Sequence, residues 1–400
     1  MTNILDGLRV IDCGSFIAAP GAATVLSDFG ADVIKVEPPG AGDAARTISR
    51  MPGNPSSEHP YGWLLDNRNK RGLALNLASP AGLAVLKRLA ERADVFITNF
   101  PLATRKKLGI GYEALSALNP RLIYASFTGY GERGAEVAKP GFDLTAYWAR
   151  SGLMDGCRTD AGTPPARALT GMGDHPSAIS LFGAIMLGLY QRERTGKGSQ
   201  VGSSLLANGF WAHGFQVQAA LCGATFYPRP PRDQHFNALT AYYRCRDDKW
   251  IMLTILNENR DWPVLVQCLG RENLIDDPRF VQRADRFKHA HALIAEFDAA
   301  FATRDRPEWR KILGDAGLVF EIVASAEDTV NDQQAIDAGV LVPFENDTLM
   351  TIDSPLHVDG VAKVKPRKAP DVGQHSGEIL REAGYSDGEI EQLRASETVA

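Results

Sequence analysis

The hydrophobic pattern along the first third of the chain alternates between two periods. Short runs rich in β-branched residues, LRVIDC (8–13), ADVIKVE (31–37), LALNL (73–77), ADVFITN (93–99) and RLIYASFTG (121–129), are separated by helically spaced stretches from about Pro20 to Gly30 and over 80–92. Strand, helix, strand at this spacing predicts parallel β-α-β units, hence an α/β fold. After Pro176, SAISLFGAIMLGLYQRE is apolar nearly all round and predicts a buried helix that stops at TGKG; SSLLANGFWAHGFQVQAAL is a second amphipathic stretch. From Gly223 the texture changes: FYPRPPRDQHFNALTAYYRC is rich in proline and aromatics, which marks a linker and a change of domain. KWIMLTILN predicts a strand, and the helical patterns between 261 and 316 predict a smaller α+β domain. The tail holds two strand-like pieces, LVPFE and LMTID, and a charged closing helix, SGEILREAGYSDGEIEQL. The expected layout is a large domain over 1–222, a small domain with its linker over 223–325, and a return to the large domain over 326–400.

Composition narrows the classes of function. A chain of 400 residues exceeds the size at which a single core usually keeps growing, which agrees with two domains. A net charge of −5 argues against a generic nucleic-acid binder, and the basic clusters NRNKR (67–71), TRKK (104–107) and RTGKG (194–198) read first as solvated surface charge. No run of membrane length and no secretory start is seen, so a cytoplasmic protein with no membrane partner is expected. Cys13, Cys157, Cys222, Cys245 and Cys268 are far apart and include no C-x-x-C pair, so neither disulfides nor structural zinc are predicted.

The common cofactor motifs fail. Gly129, Gly131 and Gly134 form a G-x-G-x-x-G after a strand, but Pro140 and Gly141 break any helix that could receive a pyrophosphate. GKGS at 196–199 lacks the flanking residues of a phosphate-binding loop, and His289 and His291 have no ligand partner at metal spacing. Asp174, in TGMGDHPSAI, is open to two readings. It can be the N-cap of the following helix, with Pro176 in the first turn. It can equally be a nucleophile, kept ionised by the helix dipole and approachable because Gly171 and Gly173 leave room.

Ten blocks in order, LDGLRVIDCGSFIAAP, GADVIKVEPPGAGD, NRNKRGLALNL, FITNFP, LGIGYEAL, NPRLIYASFTGYG, PGFD, TGMGDHPSAI, RERTGKG and APDVGQHSGEIL, make the chain resemble the class III coenzyme A transferases, the CaiB/BaiF family. That family also contains formyl-CoA transferase, carnitine CoA-transferase and α-methylacyl-CoA racemase. The resemblance implies a Rossmann-like large domain built from both chain ends, a smaller α+β domain, and an interlocked, ring-like homodimer. It implies a cytoplasmic enzyme with no tightly bound cofactor, whose substrates are an acyl-CoA and a carboxylic acid. It implies that Asp174 attacks the thioester to give a mixed anhydride and then an aspartyl-CoA thioester, with nearby glycine amides as oxyanion donors.

For coenzyme A, the resemblance carries over to Phe16, Leu75, Asn99, Phe100, Lys107 and Lys139; Lys70 and Arg71 are added from their charge and their place beside Leu75. Three departures stand out. Pro38 and Pro39 replace arginines of formyl-CoA transferase and Ala78 replaces a lysine, so part of the phosphate cradle differs. No glycine-rich loop like that of formyl-CoA transferase occurs between 223 and 250. Phe142 stands before Asp143 where the racemase branch has a histidine, and a phenyl ring cannot act as a base. A racemase or isomerase, and a non-catalytic CoA-binding homologue, remain the alternatives. Trp148, Trp211, Tyr242 and Tyr243 read first as packing residues of the core or of the small-domain interface and second as the wall of an acid pocket, with dicarboxylates or 2-hydroxy acids as acceptors.

Overall fold

The computed structural model describes residues 3–400, which fall into two compact units: residues up to 156 with 167–224 and 334–400, and residues 157–166 with 225–333. In the first unit the apolar runs become strands β1 (Arg9–Asp12), β2 (Asp32–Glu37), β3 (Arg71–Ala74), β4 (Val95–Thr98) and β5 (Ile123–Thr128). A sixth, β6 (Ser199–Ser204), completes an all-parallel sheet of order β3-β2-β1-β4-β5-β6. No strand is predicted over SQVGSS, which lacks a strand-like apolar run. It is extended because the open edge of β5 offers six partners, from Ile123 opposite Ser199 to Thr128 opposite Ser204.

Up to residue 224 the helices of this unit are, in chain order among the described residues, α1 (Ala18–Asp28), α2 (Tyr61–Asn67), α3 (Pro80–Ala90), α4 (Leu102–Leu108), α5 (Tyr112–Leu118), α6 (Leu153–Gly156), α7 (Asp174–Thr195), α8 (Leu205–Ala212) and α9 (Gly214–Leu221). Helix α1 buries every residue because its side chains are small: Gly21 has no Cβ, and one added there would stand 3.0 Å from Ala178 Cβ on α7. Helix α7 is not enclosed all round as expected from its composition. One stripe, including Ala178, Leu181, Ile185 and Leu189, packs into the core, while Leu187 and Tyr190 face outward. Chain ends meet at the β3 edge, where the Asn76 amide donates to Thr398 O at 2.8 Å and helix Ser376–Glu382 packs.

The second unit holds a three-stranded antiparallel sheet, β7 (Tyr242–Arg244), β8 (Trp250–Leu253) and β9 (Phe320–Val323), in that order. Tyr243, Trp262, Phe280, Phe297, Phe301 and Trp309 fill its core. Tyr243 is fully buried there, stacked on Phe301 at 4.9 Å, so it is a packing residue and not part of a pocket wall. Among the described residues no helix is long and apolar enough to cross a membrane.

Candidate active site

The order of the parallel strands reverses between β1 and β4, and in open α/β sheets the crevice outside the carboxyl ends of two such strands is where ligands bind. The loops leaving these strands are tied together: the Ser15 amide donates to Asn99 Oδ1 and Asn99 Nδ2 donates to Ser15 O, both at 2.8 Å. Phe16 sits in the left-handed region at φ 63°, a strained conformation for a residue with a Cβ, and the strain is held from below. Asp43 accepts from the Phe16 amide at 3.2 Å and from Ser15 Oγ at 2.8 Å. Asp43 in turn takes Lys35 Nζ at 2.7 Å, and Lys35 also donates to Gly14 O at 2.6 Å. On the β4 side, Arg105 Nε fixes Phe100 O at 2.5 Å.

Asp174 lies within reach of this crevice through a short chain of contacts. Phe16 meets Phe142 edge to face, with ring centroids 5.7 Å apart, and the neighbouring Asp143 accepts the Gly173 amide on Oδ2 at 3.1 Å. The question of cap or nucleophile has a geometric answer. The N-cap is Gly173 and no side chain caps the helix; Asp174 is the first helical residue, and its carboxylate accepts no hydrogen bond among the described residues. Only glycine fits at 173, since a Cβ would stand 2.2 Å from Asp143 Oδ1 and 2.5 Å from the Tyr147 ring.

Two expectations need correction here. The Gly173 amide is occupied by Asp143, so it is not a free oxyanion donor. Nor does the dipole keep Asp174 at an ordinary carboxylate pKa: burial first, then the Asp143 charge, push it up to about 7, and His175 works in the opposite direction. Asp143 is itself raised, chiefly by burial. Beside Asp174, His175 Nε2 is 3.0 Å from Oδ1 of the buried Asp66. Both residues line a cavity of about 1150 Å³ together with Tyr147, Ala178 and Trp211.

Of the residues expected to hold coenzyme A, the structure brings Phe16, Asn99 and Phe100 to the crevice mouth. Lys107, in the last turn of α4, is exposed and has no ion-pair partner among the described residues. Lys139 is also exposed, paired with Glu136 at 2.8 Å and lying over the Tyr130 ring at 5.1 Å. The two assignments made from charge do not fit a phosphate cradle, and Leu75, expected at the coenzyme, is a core residue. Lys70 is buried, with Nζ donating to Asp12 Oδ2, Pro20 O and Asp66 O, each at 2.8 Å. Arg71 starts β3, at the amino ends of the strands, where it binds Asp32, Glu378 and Glu382. Leu75 buries its side chain in the sheet core. Arg46 does not take the place of the arginines absent at Pro38 and Pro39, because Glu37 neutralises it at 2.7 Å.

Sequence reasoning missed Asp12, Lys35, Asp43, Asp66, Arg105 and His175. For Asp12 and Lys35 a signal existed: a charge inside an otherwise apolar parallel strand must be buried and therefore paired. For Asp66 and His175 there was none, since the two are 109 residues apart; Asp43 and Arg105 have partners nearer in the chain, but nothing in their local pattern marks them as buried.

The family model of CoA-transferase family III matches residues 5–376. The chain is 33% identical over 403 residues to the (R)-2-hydroxy-4-methylpentanoate CoA-transferase of Clostridioides difficile, covering 99% of both proteins. It is 32% identical over 409 residues to the cinnamoyl-CoA:phenyllactate CoA-transferase of Clostridium sporogenes, covering 100% of this chain and 98% of that one. The crystal structure of a CAIB/BAIF family protein from Brucella suis superposes with a TM-score of 0.86 at 26% identity, over 96% of this chain and 100% of the other.

Proposed function

The chain belongs to CoA-transferase family III, and from that premise we propose that it moves coenzyme A from an acyl-CoA to a free 2-hydroxy acid through covalent intermediates on Asp174. The observation that carries this reading is the placement of Asp174: an uncapped first residue of α7, on a glycine-flanked loop linked to the switch-point crevice, with no hydrogen bond to its oxygens among the described residues. A carboxylate so placed is free to attack.

In the proposed sequence an Asp174 oxygen adds to the donor thioester carbonyl, the C–S bond breaks, and CoA leaves as thiolate with a mixed anhydride behind. The thiolate then attacks the Asp174 side-chain carbonyl of that anhydride, expelling the donor carboxylate and forming the aspartyl-CoA thioester. An acceptor carboxylate repeats both steps in reverse, and Asp174 returns as a carboxylate. Protons balance without a base, so the phenyl ring of Phe142 is no obstacle here, although it would be in a racemase.

Phe16, Asn99 and Phe100 are assigned to the coenzyme and Lys107 to its phosphates; Lys139 is assigned to the pantetheine end. The choice of 2-hydroxy acids rests on the names of the two bacterial relatives, both of which act on such acids. The test is intact-protein mass after incubation with a panel of acyl-CoAs and hydroxylamine. The expected result is one hydroxamate, about +15 Da by the stoichiometry of the exchange, on wild type and none on Asp174→Ala. Modification of both proteins, or of neither by any donor, would overturn the reading. Acceptors are then compared as 2-hydroxy-4-methylpentanoate, phenyllactate, succinate and glutarate, with the hydroxy acids expected to turn over at least tenfold faster.

A second copy of the chain is assigned to the apolar surface of α8 and α9. Helix α9 buries none of its residues, Trp211 and Phe215 are each 87% exposed, and Leu221 at the end of α9 is exposed as well, apolar side chains of the kind that mark an interaction surface. Light scattering is expected to give twice the chain mass; a Trp211→Glu, Phe215→Glu double variant is expected to weaken association, and a monomeric wild type would remove the assignment.

A further inference from the structure

His175 is in a place that secondary structure alone disfavours for a cation. It is the second residue of α7, at the positive end of the helix dipole, where a protonated imidazole is repelled unless something holds it. Asp66 on α2 is that group: its side chain is only 6% exposed, and Oδ1 faces His175 Nε2 at 3.0 Å. The partner is itself anchored, because Lys70 Nζ is bonded to the Asp66 carbonyl and to Asn67 Oδ1 while neutralising Asp12. The fold therefore builds a carboxylate 109 residues away in order to keep a histidine next to Asp174.

On the other side of Asp174 the surroundings are hostile to a charge. Asp143, the first residue of the helical segment Asp143–Ala149, acts on it as a like charge, Tyr147 of the same segment packs against Gly173, and Asp143 Oδ1 is buried with no hydrogen-bond partner among the described residues. Across the cavity that His175 lines, Arg68 is bound to Asp28 and Lys363 to Asp353, which leaves His357 as the other titratable group on that wall. Nearest to Asp174, the cation that the helix supplies is His175.

We infer that the Asp66–His175 pair is a positioning device for the nucleophile: Asp66 holds His175 as an imidazolium, and that charge works against burial and Asp143 to favour the Asp174 anion. This rests on Asp174 being the nucleophile. The electrostatics agree in sign. Burial disfavours the His175 cation, but the hydrogen bond to Asp66 and the charges of Asp66, Asp174 and Asp143 outweigh it and raise its pKa, while His175 is the neighbour that lowers that of Asp174. The pair acts through the nucleophile and takes no proton from substrate.

The experiment follows the Asp174 carboxyl by carbon-13 NMR in protein labelled at the aspartate side-chain carboxyl, with Asp174→Asn to assign the signal. His175→Gln keeps a hydrogen-bond donor for Asp66 but loses the charge, and its Asp174 midpoint is expected to rise by about one pH unit, the effect of one nearby charge at a half-exposed site. Asp66→Asn leaves the histidine in place but also removes a charge that itself raises the Asp174 pKa, so its midpoint is expected to rise less than that of His175→Gln, and His175→Lys is expected to restore it. The single-turnover rate of hydroxamate formation at pH 6 is expected to fall about tenfold in His175→Gln and to recover at pH 8.5. An unchanged midpoint in both His175→Gln and Asp66→Asn would overturn the inference even if the hydroxamate forms normally. Absence of any hydroxamate in wild type would instead overturn the nucleophile reading while the midpoint is still measured, so the two failures are told apart.

Discussion

Asp174→Asn is expected to abolish CoA transfer and, at the same time, to make the protein more stable above neutral pH. The loss of activity follows from removing the only atom proposed to form the anhydride, and a fall of about 10³-fold or more is expected for loss of a covalent nucleophile. The gain in stability follows from the raised pKa. A carboxyl that titrates near pH 4 in the unfolded chain and at about 7 in the folded one binds a proton in the native state between those values. Stability therefore declines as pH rises through that window, and above pH 7 the full penalty of holding the anion remains. Asparagine has the same shape and never ionises. Its advantage is expected to be roughly 2 kcal/mol at pH 8, after allowance for the part of the site that solvent reaches, and close to nothing at pH 4. Urea unfolding of the two proteins at both pH values checks this. Equal stability at pH 8 would show that Asp174 is not a strained anion.

The second large effect is expected at Asp12, the last residue of β1. Asp12 is fully buried and serves three groups: Lys70 Nζ at 2.8 Å, the Gly14 amide at 3.1 Å, and Lys35 Nζ at 4.0 Å. Alanine leaves the buried Lys70 ammonium without its carboxylate partner, while Lys35 keeps Asp43, and breaking a buried pair from one side is a class of change that costs about 3–5 kcal/mol. The loss is expected to be greater at low pH. Burial already lowers the Lys70 pKa to about 8, and Asp12 is the largest influence opposing that shift. Without it Lys70 becomes neutral in the fold but charged when unfolded, so the variant gains stability as pH rises toward 9. The Gly14–Phe16 loop should loosen too, since Lys35 and Gly14 both lean on Asp12, and weaker CoA binding by calorimetry is expected alongside the lower unfolding midpoint. A variant that unfolds like wild type would show that the lysines find other partners.

The two cases show where local pattern stops. Residues 31–37 announce a strand by their β-branched alternation, yet the charge of Lys35 within that strand is explained only by Asp43, Asp12 and the Gly14 carbonyl. Residues 67–71 announce a basic cluster, and the fold separates its members: Arg68 pairs with Asp28, Lys70 goes inward, and Arg71 ends on the amino side of the sheet. A parallel sheet has two chemically different ends, and which end a side chain reaches depends on register, which the local sequence does not carry.

Local pattern carries the alternation of strands and helices, the break in texture after residue 222, the place of Asp174 at the start of a long apolar helix, and a family resemblance that the family model bears out. These are properties of neighbours along the chain, where period and breaker residues speak directly. Contacts between distant segments make β6 a strand, put Gly173 and not Asp174 at the cap of α7, and leave Asp174 half-buried with a raised pKa between Asp143 and His175. The reason is electrostatic: protonation at the site depends on Asp66, Asp143 and His175, brought together from distant parts of the chain, and the energy of a buried charge depends on what lies within a few ångströms, whatever its distance along the chain.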